Sequence, residues 1–131
     1  MMSLEEQHIT FDQARELQKL GVTAEGYHEW RINRMSGKPE IAPWFKYDRE
    51  TKKVLANAYS CAELGEMLAQ IKTHHMEIKS ILDGFSAYLR PFDIRKGSCY
   101  CANKSAETWA KCELLKVAIK RKLIKPEDLK L

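Results

Sequence analysis

The chain has 131 residues, 44% hydrophobic and 31% charged, a length and balance that suit one folded domain and exclude a disordered chain. Its apolar runs are only a few residues long, which excludes a transmembrane helix. The net charge of +4 arises wholly in residues 104–131, with 8 Lys+Arg against 4 Asp+Glu, because residues 1–103 hold 14 of each.

Residues 1–8 read as a polar, frayed lead-in. The opening "MMSLEEQHITF" is acidic and lacks an apolar core, so no secretory signal is expected. The four cysteines are then expected as reduced thiols in a cytoplasm. A helix is predicted over 11–20. Thr10 and Gln13 have the spacing of a capping box, Phe11, Ala14 and Leu17 share one side, and Gly21 suits the left-handed position that ends a helix. Two aromatic-rich stretches, "YHEWRIN" (27–33) and "PWFKYD" (43–48), favour strands. "RMSGKPE" between them is turn chemistry, and the second strand is expected to start near Trp44, because Pro43 cannot donate to a ladder. "VLANAY" (54–59) offers a third short strand.

"YSCAELGEMLAQIK" is the clearest helix. Ser60 and Glu63 form a capping box, and Cys61, Leu64, Met67, Leu68 and Ile71 make one apolar stripe. Gly65 lies off that stripe, where it permits a neighbour to approach closely. "HHMEIKSILDGFSAYLRPF" reads as a β-hairpin turning at Asp83-Gly84 and ending at Pro91. "DIRKG" is a loop, "SCYCA" a last short strand, and a final helix runs over 105–124, capped by Asn103 or Ser105. The order α-β-β-(β)-α-β-β-α predicts a single α+β domain, an antiparallel sheet with about three helices, ending in a polar tail over 125–131.

The chemistry-bearing motifs are few. Cys99 and Cys101 with His74 and His75 make a four-ligand zinc set conceivable. Against it, structural zinc cysteines are usually two to four residues apart, and adjacent strand histidines point to opposite faces. Cys99, Cys101 and Cys112 then read as small core residues. Cys61 sits in the first turn of a helix, where the dipole favours a thiolate, but it also belongs to the apolar stripe and reads as a core cysteine. No phosphate-cradling loop, nucleophile elbow, zinc-protease motif or carboxylate pair stands out. The expectation is a protein that is not an enzyme, with no cofactor, no metal and no small-molecule ligand.

The last helix carries the most unusual pattern. Cys112, Leu115, Ile119 and Leu123 make one apolar stripe; Ala106, Ala110, Leu114, Val117 and Ala118 make another. A helix with two apolar faces either inserts deeply in its own core or buries one face in a partner, and the first stripe is the candidate partner-facing one. Lys116, Lys120, Arg121, Lys122 and Lys125 are candidate contacts to nucleic acid or an acidic protein surface; otherwise they are solvated cations at a helix end, where the macrodipole favours them.

The segments "ITFDQARELQKLG", "VLANAYSCAELGEMLAQI" and "CANKSAETWAKCELLKVAIK" resemble, in their order and patterning, a loose group of small proteins of phages and mobile elements in gut Bacteroidetes. The second helix of that group often ends Trp-Leu/Phe-Arg before a glycine, whereas this one ends Ala69-Gln70-Ile71-Lys72. The resemblance implies a phage accessory role, virion-associated or host-factor-binding, and supplies no catalytic residues. The leading expectation is a non-enzymatic protein–protein interaction or self-association module, without a membrane, in a host cytoplasm or a virion. The alternatives are a nucleic-acid-binding accessory using the basic final helix, and a small zinc-binding protein.

Overall fold

The computed structural model describes residues 3–33, 35–43 and 55–131. Their elements are α1 (Phe11–Lys19), β1 (His28–Ile32), β2 (Pro39–Pro43), β3 (Ala56–Asn57), α2 (Cys61–Leu68), β4 (His74–Ile81), β5 (Gly84–Pro91), β6 (Tyr100–Lys104) and α3 (Glu107–Lys120), followed by a 3-10 turn at Pro126–Asp128. The α+β class and the element order match the sequence reading. The strands divide between two antiparallel three-stranded sheets, ordered β2-β1-β3 and β4-β5-β6. No helix among the described residues is long and apolar enough to cross a membrane.

Both predicted capping boxes form. Thr10 Oγ1 accepts the Gln13 N–H, and the Gln13 side chain accepts the Thr10 N–H. Ser60 and Glu63 repeat the arrangement on α2. Each box satisfies N–H groups that a helix start leaves orphaned. Gly21 does take a left-handed conformation (φ 96°) after α1.

Several boundaries differ from the sequence reading, among them the end of α3, which stops at Lys120 and not at 124. β2 runs over Pro39–Pro43, so the stretch taken as turn already pairs with β1, from Ile32 opposite Pro39 to His28 opposite Pro43. The expected strand from Trp44 to Asp48 lies outside the described residues. Between β4 and β5 the loop is Leu82-Asp83, and Gly84 pairs with Ile81 as the first residue of β5. Gly84 is needed for a different reason than a central turn position. A Cβ there would run into the Lys104 carbonyl and lie 2.8 Å from Ser105 Cα, and its φ is 156°. Finally, α3 begins after Ala106, which caps it with no side-chain hydrogen bond. β6 extends through Lys104, and Asn103 is spent inside the sheet, accepting from the Ser86 hydroxyl at 2.5 Å.

One core cluster ties these elements together. It draws Leu17 from α1, Ala56 from β3, Leu64, Met67 and Leu68 from α2, Ala87 and Leu89 from β5, Leu114, Leu115 and Ala118 from α3, and Leu129 beyond it. α3 lies between α2 and the β5–β6 surface and also meets α1. Neither terminus is as loose as its sequence suggests. In the lead-in, Ile9 N–H donates to the Tyr59 carbonyl, Trp109 Nε1–H donates to the His8 carbonyl, and His8 is buried. At the other end Leu129 is buried, Pro126 packs on Gly21, and Gln70 clamps Lys130 through both its backbone N–H and its carbonyl.

Candidate functional site

The five basic candidates separate into one that is used up and four that are exposed. The Lys116 ammonium is buried against the carboxylates of Glu16 and Glu113, so it ties α1 to α3 and cannot serve a partner. A lone buried ammonium would be costly, and two acids answer it. Lys120, Arg121, Lys122 and Lys125 are exposed where α3 ends.

At that end an open cleft of about 790 Å³ runs between the last turn of α2 and the docked C-terminal segment. Its walls are Ala69, Gln70, Lys72, Lys122, Leu123, Ile124, Lys125, Asp128 and Lys130. Four lysines therefore face one space, against one carboxylate among these described residues. Lys72 and Lys130 were not singled out from the sequence. They lie far apart along the chain, and only the docking of Leu129 and the Gln70 clamp bring them together. The one sequence signal was the basic excess after residue 103.

Lys122 has a local peculiarity. Its φ is 60°, the single positive φ among described non-glycine residues. The Leu123 N–H reaches back to the Ala118 carbonyl at 2.9 Å, and the Lys122 N–H to Ile119 at 3.1 Å. This is the Schellman ending of α3, whose left-handed position usually holds glycine. A lysine there costs about 1 kcal/mol or more in backbone strain.

The apolar candidates take the first of the two alternatives the sequence left open. Cys112 and Leu115 are fully buried and Ile119 is 9% exposed, all within the chain's own core; Leu123 is half-buried and packs against it. The stripe offered for a partner lies in the chain's own core instead, on a helix packed between α2, α1 and the second sheet. A helix held on both sides needs two apolar faces, which explains its pattern.

Cys99 and Cys101 correct the sequence reading, since both are exposed. Cys101 lies opposite Tyr88 on the outer side of β6, while Tyr100 and Ala102 face the core. Cys112 is the buried one, and burial pushes its thiol far up. His74 is engaged at both ring nitrogens, Nε2–H donating to the Ser98 carbonyl and Nδ1 accepting from Thr73, each at 2.8 Å. His75 instead meets Glu77 and the Phe92 ring. Among the described residues no three His, Cys, Asp or Glu side chains are grouped to hold a metal ion.

Cys61 is half-buried and polar-bonded, which also departs from the core assignment. Its S–H donates to Glu107 at 2.7 Å, and the Lys111 ammonium stands 3.2 Å from the sulfur. Burial pushes the Cys61 thiol up, the Glu107 acceptor adds to this, and Lys111 opposes them. The result is a protonated thiol joining the starts of α2 and α3, unsuited to nucleophilic attack. Gly65 sits beside this group: a Cβ there would be 3.6 Å from Lys111 Nζ, an ordinary contact.

No family model, curated protein or solved structure matches the chain.

Proposed function

We propose that the chain is a non-enzymatic binding module that holds nucleic acid in the basic cleft, an accessory of the phage or mobile-element kind implied by the resemblance. The observation that carries this reading is the convergence of Lys72, Lys122, Lys125 and Lys130 on one open space. A linear polyanion satisfies several such cations at once and releases its counterions on binding. Burial of the Cys112, Leu115 and Ile119 stripe removes the apolar surface that favoured a protein partner for this helix. The strained Lys122 adds support, because glycine would serve the helix end better and only the side chain rewards a lysine.

The test pairs affinity with stability. Binding to single-stranded and duplex DNA and RNA is measured at several salt concentrations. Four phosphate contacts on a duplex give a slope of log affinity against log salt of roughly −3 to −4. Lys122→Gly is expected to stabilise the fold by about 1 kcal/mol while weakening binding and reducing the slope by about one. Lys125→Glu should weaken binding further with little change in stability. Absence of binding at low salt, or binding indifferent to both substitutions, rejects the proposal.

A further inference from the structure

The second sheet ends in an edge whose features complement themselves. β4 pairs only with β5 among the described residues, leaving its other side open. The register from His74 opposite Pro91 to Ile81 opposite Gly84 is continuous, so β4 has no bulge, and it contains no proline. Edges that avoid pairing are usually short, bulged, proline-bearing or charged, and the charges of β4, Glu77 and Lys79, are of opposite sign. This one is eight residues long.

The backbone polarity of the edge follows from the hairpin. Phe92 N–H donates to the Thr73 carbonyl, continuing the ladder one pair beyond His74–Pro91. In an antiparallel ladder, residues alternate between pointing their N–H and C=O groups at one neighbour and at the other. Thr73, His75, Glu77, Lys79 and Ile81 therefore point theirs at β5. His74, Met76, Ile78 and Ser80 point theirs outward, at the free side. The side chains of Met76 and Ile78 pack against the core yet stay half-exposed at this border.

The geometry points to a second copy of this chain as the occupant, docked β4 to β4 antiparallel about a two-fold axis through Ile78, to make one six-stranded sheet. Charge favours that register over the two centred on its neighbours. A two-fold axis perpendicular to the sheet keeps each face on its own side, so only same-face residues can stand opposite each other. Centring on Glu77 or Lys79 would oppose like charges. Centring on Ile78 sets Glu77 against Lys79 of the second copy, twice, in non-hydrogen-bonded positions where side chains lie closest. Glu77 already accepts from Arg90 Nε at 2.7 Å, so the second lysine completes a row of alternating charge.

The apolar ends agree with the same register. Ile81 is 44% exposed and Leu82 98% exposed at one end of β4; Phe92, 68% exposed, lies tilted against the His75 ring at the other, centroids 5.3 Å apart. Antiparallel pairing about Ile78 sets Ile81 opposite the second copy's His75 and Leu82 opposite its His74. Each copy's apolar tip then covers the other's His75–Phe92 pair. A parallel arrangement, or an unrelated partner strand, gains neither match from this sequence.

Sedimentation velocity of the full chain over a range of concentrations provides the test. The wild type is expected to form a dimer. Lys79→Glu, at an exposed site, is expected to weaken it by roughly tenfold or more, since two symmetry-related attractions become repulsions. Glu77→Lys should do the same, and an equimolar mixture of these two variants should restore association as a heterodimer. Leu82→Asp, at a side chain exposed in the monomer, should weaken the dimer while leaving the circular dichroism and melting of the monomer unchanged. A chain that stays monomeric at every concentration, a dimer indifferent to Lys79→Glu and Leu82→Asp, or a mixture that fails to reassociate overturns the inference. None of these outcomes depends on whether the basic cleft binds nucleic acid.

Discussion

His8 and His28 meet edge to face, with ring centroids 4.4 Å apart. The Leu4 carbonyl can only accept, so the 2.8 Å contact to His8 Nδ1 places a hydrogen there; the other ring nitrogen is Nε2. That nitrogen and His28 Nδ1 are both buried and without a hydrogen-bond partner among the described residues. Burial holds His28 below the ordinary histidine range, the neighbouring His8 adds to this, and Glu63 opposes it. The unfolded chain thus takes up this proton near pH 6.5, and the folded chain only at a lower pH. The contribution of His28 to stability is full above that value and is lost as pH falls through it. Urea midpoints should drop between about pH 7.5 and 5.5, and more shallowly in His28→Gln, which cannot titrate. Equal pH slopes in the two proteins would contradict this assignment. The pair was invisible in the sequence because 20 positions separate the two residues and only the docking of the lead-in along Tyr59, Ser60 and Cys61 joins them.

Among the elements, legibility followed the range of the interactions that define them. Both capping boxes and the α1 and α2 stripes rest on contacts within a few residues, and the long hairpin grows from one turn that the sequence placed a single residue off. The start of β2 did not show, because "SGKPE" is good turn chemistry and Pro39 reads as turn punctuation, although it is the first residue of the strand. Alternation placed Cys99 and Cys101 together on one side of a strand, but a period of two cannot say which side the core occupies. Lys116 reads as a solvated cation until α1 brings Glu16 to it. Gly65 gives this distinction a test. The sequence suggested a close approach there, yet the nearest neighbour of a Cβ would be Lys111 Nζ at 3.6 Å, which is ordinary packing distance. Alanine therefore fits in the middle of α2 and avoids the entropic cost of glycine. Gly65→Ala is expected to stabilise the protein by about 0.5–1 kcal/mol in chemical denaturation. A destabilised variant would mean that α2 and α3 approach more tightly than these distances allow.

For the molecule as a whole, the last seven residues are the joint between folding and the proposed binding. The tail read from sequence as a polar appendage, because two leucines among charged residues, at the very end of the chain, give no periodic signal. In the fold Leu129 is 4% exposed and belongs to the same core as α2 and α3. Pro126 rests on Gly21, and Gln70 holds Lys130 by two hydrogen bonds, of 2.6 and 3.0 Å. Lys125 and Lys130 reach the cleft only because Leu129 anchors the segment between them, and Lys72 and Lys122 are supplied by elements packed on that anchor. Leu129→Ala leaves every charge of the chain in place while removing the anchor. It should cost about 2–3 kcal/mol of stability, the lower part of the usual range because the site borders the surface. At a temperature where the variant is still folded, its affinity for nucleic acid should fall toward that of Lys125→Glu, as two of the four lysines lose their fixed place. Denaturation and salt-dependent binding measured on the same preparation decide the point. If affinity stays at the wild-type level while stability drops, net charge and not the geometry of the cleft governs binding.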